Sequence, residues 1–188
     1  VDRGIASTLS IEELHENASE PSHGPRLEMP FRPPEVWAAG VTYQSSMFER
    51  QAESDTPDVY GKVYAADRPE VFFKATPSRL SSPYGEVGIR TDSTWDVPEP
   101  ELGFVLFDGK VAGYTCGNDM SSRSLEGENP LYLPQAKVYD KSCSIGPCFA
   151  TLDVVGDPQN LGVRLRIERD GNEAFNGTTS TKEMVRDC

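Results

Sequence analysis

Histidine is nearly missing from this 188-residue chain: only His15 and His23 occur, both in a polar N-terminal stretch. A Ser–His or Cys–His engine in the rest of the chain is therefore disfavoured. Acid–base work falls to lysine, glutamate, tyrosine or metal-bound water. His15 lies in IleGluGluLeuHisGlu and reads as an exposed residue of a surface helix. Cations are scarce as well: 18 Lys and Arg stand against 30 Asp and Glu, a net charge of −12. That balance argues against nucleic acid and anionic membrane surfaces as partners. No apolar run reaches the roughly 18 residues of a membrane span, and no signal-peptide pattern opens the chain. The four cysteines, Cys116, Cys143, Cys148 and Cys188, have neither metal-site spacing nor a framework pattern. They read as reduced thiols of a cytoplasmic protein.

What is present suits one domain with a real core. Residues 1–34 are polar, with ProSerHisGlyPro and ArgProPro, and read as loop or the remnant of a small N-terminal region. Residues 35–188 read as the globular part. Trp37–Tyr43 suits a short strand. Ser46 and Glu49 form a capping box for a helix running towards Ala52. Thr56-Pro57 opens a second helix, with Val59, Val63 and Tyr64 on one face and Pro69 past its end. Val71–Ala75 is a short strand carrying Lys74, Ser81–Gly88 a turn-rich loop, and Met120–Pro130, directly after Asp119, a polar loop. Asp108-Gly109 and Asp170-Gly171 are hairpin turns. Val163, Leu165 and Ile167 alternate inward. Ser180 and Glu183 form a capping box with only five residues behind it, so more chain is expected beyond Cys188. Strands outnumber helices, and the class is mainly β (α+β).

The chemistry concentrates in WDVPEPELGFVLFDGKVAGYTCGNDMSSR. Glu99 and Glu101 share one strand face, because side chains alternate along a strand. Two like charges on a largely apolar face are costly unless a cation offsets them. With Asp108-Gly109 as the turn, simple pairing sets Asn118 opposite Glu99 and Cys116 opposite Glu101. Asp119 then arrives beside Glu99 but on the wrong face, unless a bulge at Gly117 redirects it. The alternative is a solvated acidic strand. Three carboxylates would suit a hard cation, Mg²⁺, Mn²⁺ or Ca²⁺, with positions left open for substrate. Lys74, flanked by aromatics, and Lys137 are each either a base or anion binder near a metal, or a snorkelling surface lysine. Arg123 either clamps a carboxylate or pairs with Glu126 or Glu128.

Three segments, ValProGluProGluLeu, GlyTyrThrCysGlyAsnAspMetSerSerArgSerLeuGlu and AlaLysValTyrAspLysSerCysSerIleGlyPro, resemble in kind and order the signature of the fumarylacetoacetate hydrolase superfamily. The likeness runs from about Trp37 to Lys182. It implies a mixed β-roll with flanking helices, commonly a homodimer. It implies Glu99, Glu101 and Asp119 as metal ligands, and Arg123 and Glu126 on the substrate side. Lys137 falls on the active-site lysine, with Lys74, Tyr43, Tyr139 and Lys141 as further substrate contacts. One departure stands out. Hydrolase members carry GlyxAsnTyrxxHis, whereas here Thr42 replaces the Asn and Ser46 the water-activating His. The chain is therefore most similar to the sugar-acid dehydratases of the superfamily. The implied reaction is dehydration of a 2-keto-3-deoxy pentonate to 2-oxoglutarate semialdehyde, with Lys137 and then Glu126 as proton carriers. The alternatives are C–C hydrolysis of acylpyruvate-type diketo acids, a related isomerase or decarboxylase, and a non-enzymatic cation-binding module.

Overall fold

A computed structural model describes residues 27–43, 52 and 57–188. The capping box at Ser46 and Glu49, Thr56, the Val59 side chain and both histidines lie outside what is described. The described elements run β1 (Val36–Gly40), α1 (Pro57–Ala65), β2 (Glu70–Ala75), β3 (Leu80–Ser81), β4 (Asp96–Phe107), β5 (Lys110–Ser122), α2 (Arg123–Glu128), α3 (Leu133–Lys137), β6 (Cys143–Thr151), α4 (Leu152–Val155), β7 (Gly162–Arg169) and β8 (Asn172–Ser180). Three sheets hold the strands: β1 with β2, the four-stranded order β3-β6-β5-β4, and the β7–β8 hairpin. The mainly-β expectation is met. Ala75, Cys143 and Ile145 form a buried cluster where β2 meets β6, with Met29, Phe31, Val36 and Leu80 packed on it.

Both Asp-Gly dipeptides make the expected turns. Asp108 and Gly109 have φ of 49° and 70°, and Asp170 and Gly171 have 53° and 73°. Only the mirror-image turn needs two successive positive φ values, and its twist matches that of the flanking strands. Val163, Leu165 and Ile167 are half-buried while Gly162, Arg164 and Arg166 are exposed, so β7 alternates as anticipated.

The pairing of β4 with β5 differs from the simple register. Phe107 pairs with Lys110 and Leu106 with Val111, but Val105 pairs with Gly113, leaving Ala112 as an extra residue. This bulge, five residues before Gly117, shifts everything beyond it by one. Glu99 therefore faces Asp119, and Glu101 faces Gly117. Directly opposed residues share a face, so Asp119 joins the glutamates without any redirection at Gly117.

Two further segments depart from the reading of the sequence, and a third, for which the sequence carried no expectation, is helical. The stretch after Asp119 is not a loop: β5 continues through Ser122, whose side chain caps α2 by accepting from the Leu125 amide. Gln135–Lys137 closes a second short helix, α3. The Ser180 capping box opens only a 3-10 turn, Thr181–Glu183, in which Ser180 accepts from the Lys182 amide. Ser122 and Ser180 each satisfy one starting amide of the element they open, and Pro134 near the start of α3 brings no amide hydrogen that would need a partner.

Candidate active site

Period two along β4 and β5 builds the floor of a cavity of about 410 Å³. Glu99, Glu101 and Asp119 line it from the sheet. Arg123 and Glu126 come from α2, Lys137 from the end of α3, Tyr43 and Phe72 from the segments after β1 and within β2. Val163, Leu165, Phe175 and Thr178 of the β7–β8 hairpin close the opposite side. Six of the expected site residues are thus gathered with Tyr43 in one space. The local reason for Arg123 and Glu126 is their i,i+3 spacing on α2, which puts both on one face, 4.0 Å apart.

The charges interlock. Lys137 Nζ donates to Glu99 Oε2 at 2.5 Å, Asp119 Oδ2 at 3.1 Å and Ser121 Oγ at 2.6 Å. Glu126 Oε1 lies 3.9 Å from the same nitrogen. Arg123 donates to the other oxygen of Glu99 at 2.8 Å and lies 5.9 Å over the Trp95 ring. Lys137 sits 5.6 Å over the Phe72 ring. Lys137, Asp119 and Glu126 are buried, at 3%, 6% and 6% exposure. At such burial each charge needs the others, because an unpaired ion there is costly.

Three expected contacts stand elsewhere. Lys74 is buried behind Asp119, pairing with its Oδ1 at 2.5 Å, and is not on the cavity wall. Burial pulls its ammonium below its ordinary value, with Asp119 acting in the opposite direction. Tyr139 packs near Lys74, whose Nζ is 5.7 Å from its ring, and likewise lies off the wall. Lys141 is exposed and pairs with Glu86 at 3.0 Å, remote from this chemistry. Tyr43 is buried in the cavity wall, and its hydroxyl has no hydrogen-bond partner among the described residues. Burial first, then Glu101 and Cys188, push the Tyr43 phenol up to about 12. Ser121 was not anticipated. Its hydroxyl accepts from Lys137 and donates to Glu99 Oε2 at 3.1 Å, in a residue with 0% exposure. Its signal was the period of two from Asp119, hidden when the strand was ended too early.

Among the described residues, no three His, Cys, Asp or Glu side chains stand within metal-binding reach of one point. By chemistry the donors nevertheless fit a hard cation: Glu99, Glu101 and Asp119 are all-oxygen groups on one cavity wall. Glu99 and Asp119 already gather around one positive centre, the Lys137 ammonium.

The model of the fumarylacetoacetate (FAA) hydrolase C-terminal family matches residues 35–188. The chain belongs to the fumarylacetoacetate hydrolase family. Within that family it is 55% identical over all its 188 residues to a probable 2-keto-3-deoxyxylonate dehydratase of Haloferax volcanii, covering 64% of that protein. It is 44% identical over 167 residues to 2-dehydro-3-deoxy-D-arabinonate dehydratase of Saccharolobus solfataricus, spanning 86% of this chain and 56% of the relative. Its fold matches a 2-keto-3-deoxy-D-arabinonate dehydratase complexed with magnesium and 2,5-dioxopentanoate. There the TM-score is 0.79 at 36% identity, over 99% of this chain and 65% of that one. The chain thus spans less than two thirds of the relatives it resembles.

Proposed function

We propose that this chain is the larger part of a metal-dependent dehydratase of 2-keto-3-deoxy pentonates, releasing 2,5-dioxopentanoate, which is 2-oxoglutarate semialdehyde. One observation carries the reading: 55% and 44% identity to two sugar-acid dehydratases in a chain that keeps the carboxylate and lysine cluster in one cavity. Glu99, Glu101 and Asp119 would hold Mg²⁺, with Ca²⁺ or Mn²⁺ as substitutes of the same chemistry. When bound, such an ion supplies Lewis-acid polarisation of a 2-oxo group and its neighbouring carboxylate, and its charge favours the neutral form of a nearby lysine.

The chain's own residues then divide the work. Arg123, fixed by Glu99 and the Trp95 ring, is the cation that orients the substrate carboxylate end. Lys137 carries the C3 proton, and departure of the C4 hydroxyl with a proton gives one water. Glu126, 3.9 Å from Lys137 Nζ, is the second proton carrier. A proton moved from C5 to C3 and a final tautomerisation give the aldehyde. Half-buried Val163 and Leu165 on the far wall limit water in the cavity.

The four cysteines, read as reduced thiols, favour the cytoplasm, and the family resemblance favours a homodimer of the full polypeptide, which light scattering tests. Among the described residues no helix is long and apolar enough to cross a membrane. A second reading is hydrolysis of a diketo acid, favoured by 31% identity to a 2,4-didehydro-3-deoxy-L-rhamnonate hydrolase of a Sphingomonas species. Ser46 at the hydrolase histidine position weighs against it. Incubating the Mg²⁺-loaded full-length protein with 2-keto-3-deoxypentonate and, separately, with an acylpyruvate decides. A semialdehyde from the first supports the dehydratase; two acids from the second, and none of the first product, overturn it.

A further inference from the structure

Lys74 has the lowest exposure of any charged residue described, 1%. Burying an ammonium is costly unless it is paired and hydrogen-bonded throughout. Here it is. Lys74 Nζ donates to the main-chain oxygen of Met120 at 2.8 Å and to that of Lys137 at 2.5 Å. Its third partner is Asp119 Oδ1 at 2.5 Å. An ammonium has three hydrogens, so none is left for a substrate, and the residue does not line the cavity. The substrate contact implied by the resemblance does not describe this geometry.

The three partners are not arbitrary. Met120 O and Asp119 Oδ1 belong to the end of β5 that carries the acidic cluster, and Lys137 O belongs to the residue whose side chain enters that cluster. Asp119 Oδ1 is committed to Lys74, while Oδ2 faces Lys137 Nζ at 3.1 Å. We infer that Lys74 is a positioning residue: from behind the site it makes Asp119 present a single oxygen, Oδ2, and it sets the spacing between Asp119 and the Lys137 side chain. The role rests on the proposed reading of Asp119 as a cation ligand. Outer groups that fix a ligand's orientation in this way typically change metal affinity by about 10–100-fold when removed.

The test compares the wild-type full-length protein with Lys74→Met and Lys74→Arg. Mg²⁺ is titrated by calorimetry, then oxalate at saturating Mg²⁺, and kcat and KM are measured with 2-keto-3-deoxypentonate. Lys74→Met should weaken Mg²⁺ binding by about tenfold or more and lower kcat. Oxalate affinity at saturating Mg²⁺, and KM, should stay within about twofold, since a positioning group makes no uniform substrate contact. Lys74→Arg, which keeps a charged donor, should recover part of the Mg²⁺ affinity. Weakened oxalate binding and raised KM with Mg²⁺ affinity intact would make Lys74 a substrate contact and overturn the inference, as would no change at all. If Lys74→Met does not fold, Lys74→Arg carries the comparison: a partial loss of Mg²⁺ affinity at unchanged KM supports positioning, and wild-type Mg²⁺ affinity overturns it. A wild-type protein that takes no Mg²⁺ refutes the cation reading instead. The crystal structure of Lys74→Arg then decides the inference: Asp119 and Lys137 drawn apart support it, and an unchanged 3.1 Å contact overturns it.

Discussion

Replacing Lys137 by alanine separates proton transfer from cation binding. Its Nζ lies within 3.1 Å of three oxygens, on Glu99, Asp119 and Ser121, so truncation removes both the proposed proton carrier and the positive charge between two carboxylates. Losing general acid–base help costs about 10²–10⁴-fold in turnover, which is about 3–5 kcal/mol of barrier. The same change leaves Glu99 and Asp119 facing each other in a site where stranding one member of a buried pair costs about 3–5 kcal/mol of stability. A divalent cation uses those same oxygens and relieves that repulsion. Lys137→Ala should therefore show kcat down by about 10²–10⁴, a lowered Tm without metal, and a larger rise of Tm on adding Mg²⁺ than the wild type shows. From sequence alone, Mg²⁺ affinity is expected to stay nearly unchanged; because Lys137 occupies the acceptor oxygens, the structure predicts affinity equal or higher. Steady-state kinetics, calorimetry and thermal melts read all of it. Undiminished turnover, or markedly weaker Mg²⁺ binding, would refute the reasoning.

Ser121→Ala should lower stability by about 1–3 kcal/mol, since it strips a hydrogen-bonded hydroxyl from the buried Lys137 and Glu99; urea melts measure it, and an unchanged midpoint would contradict the geometry. Deleting Ala112 removes the bulge that sets Glu99 opposite Asp119, so the hairpin should keep its circular dichroism while Mg²⁺ binding is lost; retained binding would show that the bulge does not set the register. Tyr43 and Tyr139 are both held up to about 12, chiefly by burial, from the ordinary value of 10.0. Each keeps its proton in the folded state while the unfolded chain ionises, so stability is fully present below pH 10 and falls as pH rises towards 12, by up to about 2–3 kcal/mol per tyrosine. Denaturation midpoints at pH 9 and pH 11.5 for the wild type and Tyr139→Phe test this, and equal alkaline losses in both would count against it.

The acidic cluster was legible because a strand's period of two needs no tertiary knowledge: Glu99 and Glu101 had to share a face. The partner register was not, because Ala112 carries no signal of a bulge, and one unpaired residue moves every later pairing by one. Gly117 drew suspicion as the flexible residue, yet it lies in regular pairing opposite Glu101. The helix at Arg123–Glu128 was missed because its polar sequence lacks an apolar stripe; tertiary contacts and the Ser122 cap hold it instead. The role of Lys74 was illegible for a different reason. Motif position places a lysine near a site but does not say whether it faces the cavity or the back of a ligand, and only the carbonyls of Met120 and Lys137 decide that.

The account depends above all on whether Glu99, Glu101 and Asp119 act together on one ion. The most direct measurement is a crystal structure of the full-length protein grown with Mg²⁺ and oxalate or pyruvate. The prediction is a single ion bonded to all three carboxylates, Asp119 through Oδ2, with both adjacent oxygens of the 2-oxo acid on its open side. An ion bound elsewhere, or Glu99 and Asp119 still paired with Arg123, Lys137 and Lys74 and no ion between them at saturating Mg²⁺, would contradict it.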